Sequence, residues 1–393
     1  MAAYLSAVLF AAAAVGLAAL LAQCASLRRH VRGPAAVPRS QPPISILKPL
    51  CGLDDALEEN LARFAALDYP EYEVVLGVRS ASDAAWSVAR AAARRWPGRF
   101  RAVLQRGEPG MNPKVNQLVT LARAARHDVL VVSDSNVRVA PGYLSEIAAL
   151  LEDASVGLVT HAIVGVGEER LGSLMDHLHL AGSVAPGVVA AKRLAGRDIV
   201  VGKSMALRRG DLARMGGFEA VKDVLAEDYV MGLMVSRVLG KRVAVGRLPI
   251  ENVSAGRTVG EFAARYQRWS VLQRQAVGPW VYASMALLNP VLLAAIAVAV
   301  APCAAGLCAL AGACVAKTAL DGAAARALRP GGFGLGQLAM VPVKDLVFGM
   351  AWAYGLVRRD VEWRGSRLRV LPGTRLERQP AGGPAERVPV ASA

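Results

Sequence analysis

Aromatic residues are scarce in this 393-residue chain: 5% Phe, Trp and Tyr, against 54% hydrophobic residues overall. An oily soluble core draws heavily on large rings. Long runs of small aliphatic residues fit membrane segments better. Cysteine is sparse too. Cys24, Cys51, Cys303, Cys308 and Cys314 include no pair at metal-ligand or redox spacing. Four of the five lie in apolar segments, where a thiol behaves as a small hydrophobe. A domain without a disulfide framework suits a reducing, cytosolic face. The net charge of +15 raises nucleic acid as a partner, but the basic face interleaved with aromatics that such binders carry is missing. Arginines instead crowd the edges of apolar segments, as in Arg28-Arg29-His30-Val31-Arg32 and Arg358-Arg359. That is the positive-inside pattern of a membrane protein, so nucleic acid is set aside.

What is present divides the chain into five parts: 1–30, 31–43, 44–280, 281–357 and 358–393. Residues 4–27 are almost uninterruptedly apolar, long enough for one bilayer crossing at ~20 residues. Their positive charges follow the apolar run and do not precede it, which reads as an anchor with a cytosolic basic flank more than as a secretion signal. A Pro-rich linker follows. From residue 44 to about 253 the chain is soluble in character. Strands are predicted at 44–47, 72–78, 100–104, 128–133 and 157–161, with helices at 56–67, 83–95, 114–125 and 142–152. Alternating strands and helices imply βαβ units and a mainly parallel sheet.

After Trp280, residues 285–301 and 303–320 are expected to form a transmembrane hairpin turning at Pro302. A third apolar stretch, 335–357, carries Lys344 and Asp345 at its centre. Charges at mid-bilayer are costly, so this stretch is expected to be interfacial or re-entrant. The tail after Arg358 is basic, then rich in Pro, Gly and Ala, and is expected to be disordered.

Four local features carry chemistry. Asp83 follows the strand ending at Val78, and Asp134 follows Val131-Val132-Ser133, so both fall just past strand ends and converge on one sheet edge. Ligands of open α/β sheets bind there, and an acid on such a turn suits a divalent metal and a diphosphate. Alone, Asp134 reads as well as ordinary turn chemistry, and Asp83 reads first as an N-cap of the helix that follows it. Glu227 and Asp228 open a helix behind the Gly216-Gly217 loop. One of the pair can act as a general base toward an acceptor hydroxyl, or both can complement the helix dipole. Finally, Arg265 and Arg268 share one helix face, able to bind a diphosphate. Trp269 suits a membrane interface.

Taken in order, these features resemble the inverting nucleotide-sugar glycosyltransferases of the GT-A fold. The flanks narrow the resemblance to the ceramide glucosyltransferase family. They are Ser45-Ile46-Leu47-Lys48-Pro49-Leu50-Cys51-Gly52, Leu67-Asp68-Tyr69-Pro70, Asn112-Pro113-Lys114-Val115-Asn116, Val201-Gly202-Lys203-Ser204-Met205 and Ala226-Glu227-Asp228-Tyr229. It implies an α/β catalytic domain of GT-A type with a mainly parallel sheet, flanked by transmembrane helices. It also implies a UDP-sugar donor, Mg2+ or Mn2+ held at Asp134, and a membrane lipid acceptor. Asp83 is expected near the uracil and Asp134 near the diphosphate, with Lys114 and Asn116 lining the same cleft. Asp228 is expected to be the catalytic base, and Arg265, Arg268 and Trp269 to close the site at the membrane. The chemistry needs no covalent intermediate, which accords with the lack of an obvious Ser-His or Cys-His nucleophile.

Three departures from the animal members stand out. The metal turn is Asp134-Ser135-Asn136, with one carboxylate. The first-aspartate segment, Arg79-Ser80-Ala81-Ser82-Asp83, is less acidic. Ala185-Pro186 stands where those enzymes carry His-Pro, in a region expected to face the acceptor. Ceramide is the first acceptor expected. A hopanoid or other lipid glycosyltransferase using UDP-glucose or UDP-N-acetylglucosamine is the alternative, and a non-catalytic scaffold or transporter subunit is the competing class. High Ala, Gly and Arg usage suggests a bacterial source, so with the positive-inside pattern a bacterial inner membrane is expected, with the catalytic domain in the cytoplasm.

Overall fold

The computed structural model describes residues 1–363 and 366–378. Strands β1 (Ile44–Leu50), β2 (Tyr72–Val78), β3 (Phe100–Leu104) and β4 (Val129–Ser133) arise from the short β-branched runs. They pair in parallel in the order β3-β2-β1-β4. Strands β5 (Val137–Arg138), β6 (Val156–Val166), β7 (Ser204–Arg208) and β8 (Arg242–Val253) extend the sheet, giving the full order β3-β2-β1-β4-β7-β6-β8-β5. Strand β7 is antiparallel to both neighbours, whereas β6 and β8 are parallel to each other.

Alternate residues feed two separate cores. Ile44, Ile46, Val74, Leu76 and Val131 face helices Leu57–Ala65, Ala85–Arg95 and Tyr143–Leu151. Leu47, Val75, Leu130 and Val132 face helices Pro113–Ala124 and Glu227–Arg237. Burial on both faces explains why these strands read as continuous apolar runs.

Among the described residues, helices Ala2–Val31 and Ala304–Leu328 and the stretch Leu335–Val357 are long and apolar enough to cross a membrane. The expected hairpin changes in its first arm. Residues 279–288 meet helix Pro290–Val300 at 85°, and the eleven residues of the latter rise only ~16 Å against a hydrocarbon core of ~30 Å. Residues 279–300 are therefore a broken span or a re-entrant loop, whereas 335–357, expected to be interfacial or re-entrant, is long and apolar enough to cross. The objection to 335–357 was its charge pair, and the fold answers it. Asp321 lies 2.5 Å from Lys317 and 3.0 Å from Lys344, and Lys344 lies 2.8 Å from Asp345. All four are buried, and two lysines with two aspartates sum to zero charge, so none is stranded.

The apolar helices dock on the catalytic domain and on each other. Leu27 and Cys24 of the first helix pack with Val164 of β6 and with Ala325 and Leu328. Gly16 permits a close crossing, because a Cβ there would stand 1.8 Å from the Leu287 carbonyl oxygen.

The tail expected to be disordered is folded up to residue 378. Strands β9 (Asp360–Trp363), β10 (Ser366–Val370) and β11 (Leu376–Arg378) form an antiparallel sheet. The arginines concealed an apolar face of Val361, Leu368, Val370 and Leu376, which packs on Leu225 and Val271. Backbone bonds from Leu225 N to Thr374 O (2.9 Å) and from Leu376 N to Asp223 O (2.8 Å) tie it to the loop that precedes Glu227. The rest of the tail lies outside the described residues.

Candidate active site

The carboxyl ends of β1, β2 and β4 open on one edge of the sheet, and the polar residues gather there. Antiparallel pairing sets Ser133 of β4 opposite Ser204 of β7, which brings Lys203 across from Asp134. The Lys203 Nζ lies 3.1 Å from Asp134 Oδ2 and donates to Asn136 Oδ1 at 2.6 Å. Lys114 approaches from the first turn of helix Pro113–Ala124, which is capped by the Asn112 side chain. Its Nζ lies 3.0 Å from Asp134 Oδ1 and 2.9 Å from Glu227 Oε1, and donates to Gly202 O at 2.9 Å. Burial opposes the charge on Lys114, but Asp134, Glu227 and Asp228 outweigh it and raise its pKa. Burial likewise opposes ionisation of Asp134, yet Lys114 and Lys203 hold its carboxyl well below the usual range.

A third lysine, Lys48 of β1, is fully buried. It donates to Ser133 Oγ (3.1 Å) and to the Asp134 carbonyl (2.8 Å), over the ring of Phe64. Burial pushes its pKa down to about 7.

Glu227 and Asp228 are adjacent in sequence but differ in partners. Glu227 is neutralised by Lys114 and accepts from Asn112 Nδ2 at 3.2 Å. Asp228 accepts from two backbone amides, Gly202 N and Tyr229 N, both at 2.8 Å. Burial, then the neighbouring Glu227, raises its pKa to about 6. A Cβ at position 202 would lie 2.6 Å from Asp228 Oδ2, so glycine is needed for this approach. Of the two acids, Asp228 has the character of a base matched to neutral pH.

Asp83 Oδ1 accepts from Gly52 N and Ala85 N, each at 2.9 Å. It joins the loop after β1 to the helix after β2 at the same edge. Asn116, expected to line the cleft, uses both ends of its amide on the Gly110 backbone (2.9 and 2.8 Å), so it holds a loop. Arg265 and Arg268 line a cleft of about 520 Å³ with Asp55, Ser254 and Arg257. The Arg265 guanidinium also lies 5.4 Å from the Trp269 ring centroid. Ala185, expected to face the acceptor, is fully buried with Leu27, Leu178 and Val189.

Sequence reasoning missed Asp176. This buried acid lies 3.6 Å from Arg265 and 3.8 Å from Arg257, and accepts from Tyr266 OH at 2.7 Å. Its signal was a lone carboxylate in the apolar run Leu174-Met175-Asp176-His177-Leu178, which demands a partner when buried.

The oxygens that would ligate the Mg2+ or Mn2+ implied at Asp134 already face cations or donors. Lys114 and Lys203 occupy the carboxylate, Lys203 the Asn136 amide oxygen, and Lys48 the Asp134 carbonyl. The nearby Asp54 carboxylate accepts from Ser135 Oγ. Among the described residues no group of three His, Cys, Asp or Glu is arranged to hold a metal. As folded, this donor set does not fit a divalent ion.

A curled, mostly parallel α/β sheet flanked by helices is the GT-A-type fold. The chain superposes on the mannosyltransferase PcManGT of Pyrobaculum calidifontis, solved with GDP-Man and Mn2+. The TM-score is 0.50 at 21% identity, covering 89% of this chain and 99% of that one. The sequence matches glycosyl transferase family 21 over residues 8–376, and the chain belongs to that family. It is 30% identical over 235 residues to ceramide glucosyltransferase 1 of Caenorhabditis elegans, covering 59% of this chain and 50% of that protein. It is 29% identical over 199 residues to the ceramide glucosyltransferase of Komagataella phaffii, covering 45% and 39% respectively. The chain spans about half the length of the Caenorhabditis relative.

Proposed function

We propose that this protein is a membrane-bound inverting glycosyltransferase that moves glucose from UDP-glucose to a lipid hydroxyl, ceramide first. The observation that carries the proposal is Asp228. It is a carboxylate raised to about 6, at a helix start reached from the same cleft edge as Asp134, Lys114 and Lys203. In this reading the uracil lies toward Asp83, and the diphosphate lies among Lys114, Lys203, Arg265 and Arg268. Asp228 takes the proton of the acceptor hydroxyl. The hydroxyl oxygen attacks the anomeric carbon from the face opposite the leaving group, the bond from that carbon to the phosphate oxygen breaks, and UDP departs with its charge balanced by the surrounding cations. Lys48 and Asp176 touch no substrate in this scheme and act by holding the Asp134 turn and Arg265.

A lipid acceptor accounts for apolar helices packed directly on the catalytic domain, with a short re-entrant-like pair at 279–300 leading from Arg265 and Trp269 toward them. The arginines at the edges of the apolar segments support a catalytic domain on the cytoplasmic side, and the Ala-, Gly- and Arg-rich composition supports a bacterial inner membrane. The test is a product assay on membranes containing this chain, with labelled UDP-glucose or UDP-N-acetylglucosamine and ceramide or a hopanoid polyol. Labelled ceramide from UDP-glucose is expected, and it should vanish in Asp228→Asn. Labelling of the hopanoid instead would replace the acceptor and keep the mechanism. No labelled lipid from correctly inserted protein would reject catalysis and favour a scaffold or transporter subunit.

A further inference from the structure

We propose that the Lys203 ammonium takes the place of a divalent cation in this active site, so that the nucleoside diphosphate is bound without metal. The inference rests on the donor reading above and deepens it. In a metal-assisted site the cation bridges carboxylate oxygens of the protein and oxygens of the diphosphate. Here Lys203 occupies the protein side of that bridge. Its Nζ is 3.1 Å from Asp134 Oδ2 and 2.6 Å from Asn136 Oδ1, the carboxylate and the amide oxygen of the Asp134-Ser135-Asn136 turn. An ammonium has three N–H donors. Two are directed at the turn, which leaves one for a phosphate oxygen.

Three further features separate this arrangement from an incidental ion pair. Strand register fixes it: β7 pairs with β4 through Ser204 and Ser133, so position 203 must stand across from position 134. The other Asp134 oxygen is not available either, because Lys114 holds it while itself anchored on Glu227 and Gly202 O. The third lysine, Lys48, sits on the Asp134 carbonyl. A dication placed on Asp134 would be met by these ammonium groups at contact distance, with like charges repelling in a partly buried site. Asparagine at position 136 offers Lys203 a neutral acceptor beside the Asp134 carboxylate.

The experiment measures UDP binding by calorimetry to the full-length protein, purified in detergent, with either EDTA or Mn2+ present. Wild type should bind UDP with an affinity that differs less than about threefold between the two conditions. Lys203→Ala should lose at least about tenfold in EDTA, as expected for removing a charge-assisted bond to a diphosphate, and Mn2+ should recover most of that loss by occupying the vacated oxygens. Lys203→Arg, which keeps the charge, should bind in EDTA, and thermal unfolding of each variant reports whether it is folded. If folded wild type binds UDP only with Mn2+, or if Lys203→Ala binds in EDTA as wild type does, the inference is overturned and the donor reading stands. If folded wild type binds no UDP under either condition, the donor reading fails and takes this inference with it.

Discussion

Replacing Asp228 by asparagine removes one titratable oxygen and little volume, and the structure sets the size of the effect. Loss of a general base costs ~10²–10⁴-fold in rate. The two backbone amides that bond Asp228 reach different oxygens, Gly202 N to Oδ2 and Tyr229 N to Oδ1. An asparagine accepts from only one of them and turns its NH2 toward the other, at a cost of ~1–3 kcal/mol. Loss of the repulsion from Glu227, one cause of the raised pKa, offsets part of this. The variant should therefore fold with a slightly lowered Tm and transfer sugar at least ~100-fold more slowly.

The sign of the pH dependence follows from the same group. A base works when deprotonated, and a pKa raised to about 6 moves the acid limb of the rate upward from the ordinary carboxylate range. A carboxyl raised to about 6 is mostly ionised at pH 7.5 and mostly protonated at pH 5, so the rate should fall on the order of tenfold between them. Glu227→Gln removes a raising influence and should shift that limb to lower pH. The assay is labelled-sugar transfer in membranes across pH, beside thermal unfolding of the purified variants. A folded Asp228→Asn protein with wild-type transfer would refute the reasoning, as would a wild-type rate that stays flat from pH 7.5 to 5.

Asp176→Asn keeps an acceptor for Tyr266 OH but strips the charge facing Arg257 and Arg265. Donor KM should rise at least ~fivefold with a smaller change in kcat, since the arginines lose their counter-ion and their aim. Asp321→Ala leaves Lys317 and Lys344 to share Asp345, and breaking such a buried set costs ~3–5 kcal/mol. Thermal unfolding in detergent should show this, and adding Lys317→Met, which restores neutrality, should recover part of the loss. Gly16→Leu forces a side chain into the Leu287 backbone. It should destabilise the packing of the first helix by at least ~1–3 kcal/mol, read as faster proteolysis of that helix in detergent.

The sequence by itself determined the elements whose signal is local. Strands β1 to β4 and β6 alternate with amphipathic helices, and their apolar runs are visible because both faces are buried. The order of Asp83, Asp134, Asp228 and the Arg265–Arg268 face was legible for the same reason, since each sits beside an element that sequence period defines. Apolar length alone marked the first helix and Ala304–Leu328.

Tertiary structure decided whatever depends on a partner far along the chain. Lys344 and Asp345 looked prohibitive in an apolar segment until Lys317 and Asp321, on another helix, came within contact. The tail read as disordered because its arginines dominate, while the few apolar residues that fold it pack on Leu225 and Val271, roughly 90 to 150 positions earlier. Asn116 is spent on Gly110 and Ala185 is buried, facts that no spacing conveys. The same holds at the centre of the site. Glu227 and Asp228 are equivalent acids in the sequence, and only the fold pairs the first with Lys114 of a different helix, while burial and the neighbouring Glu227 raise the second to about 6. Charge and burial act through space, so the chemistry of a carboxylate is set by what the fold brings against it.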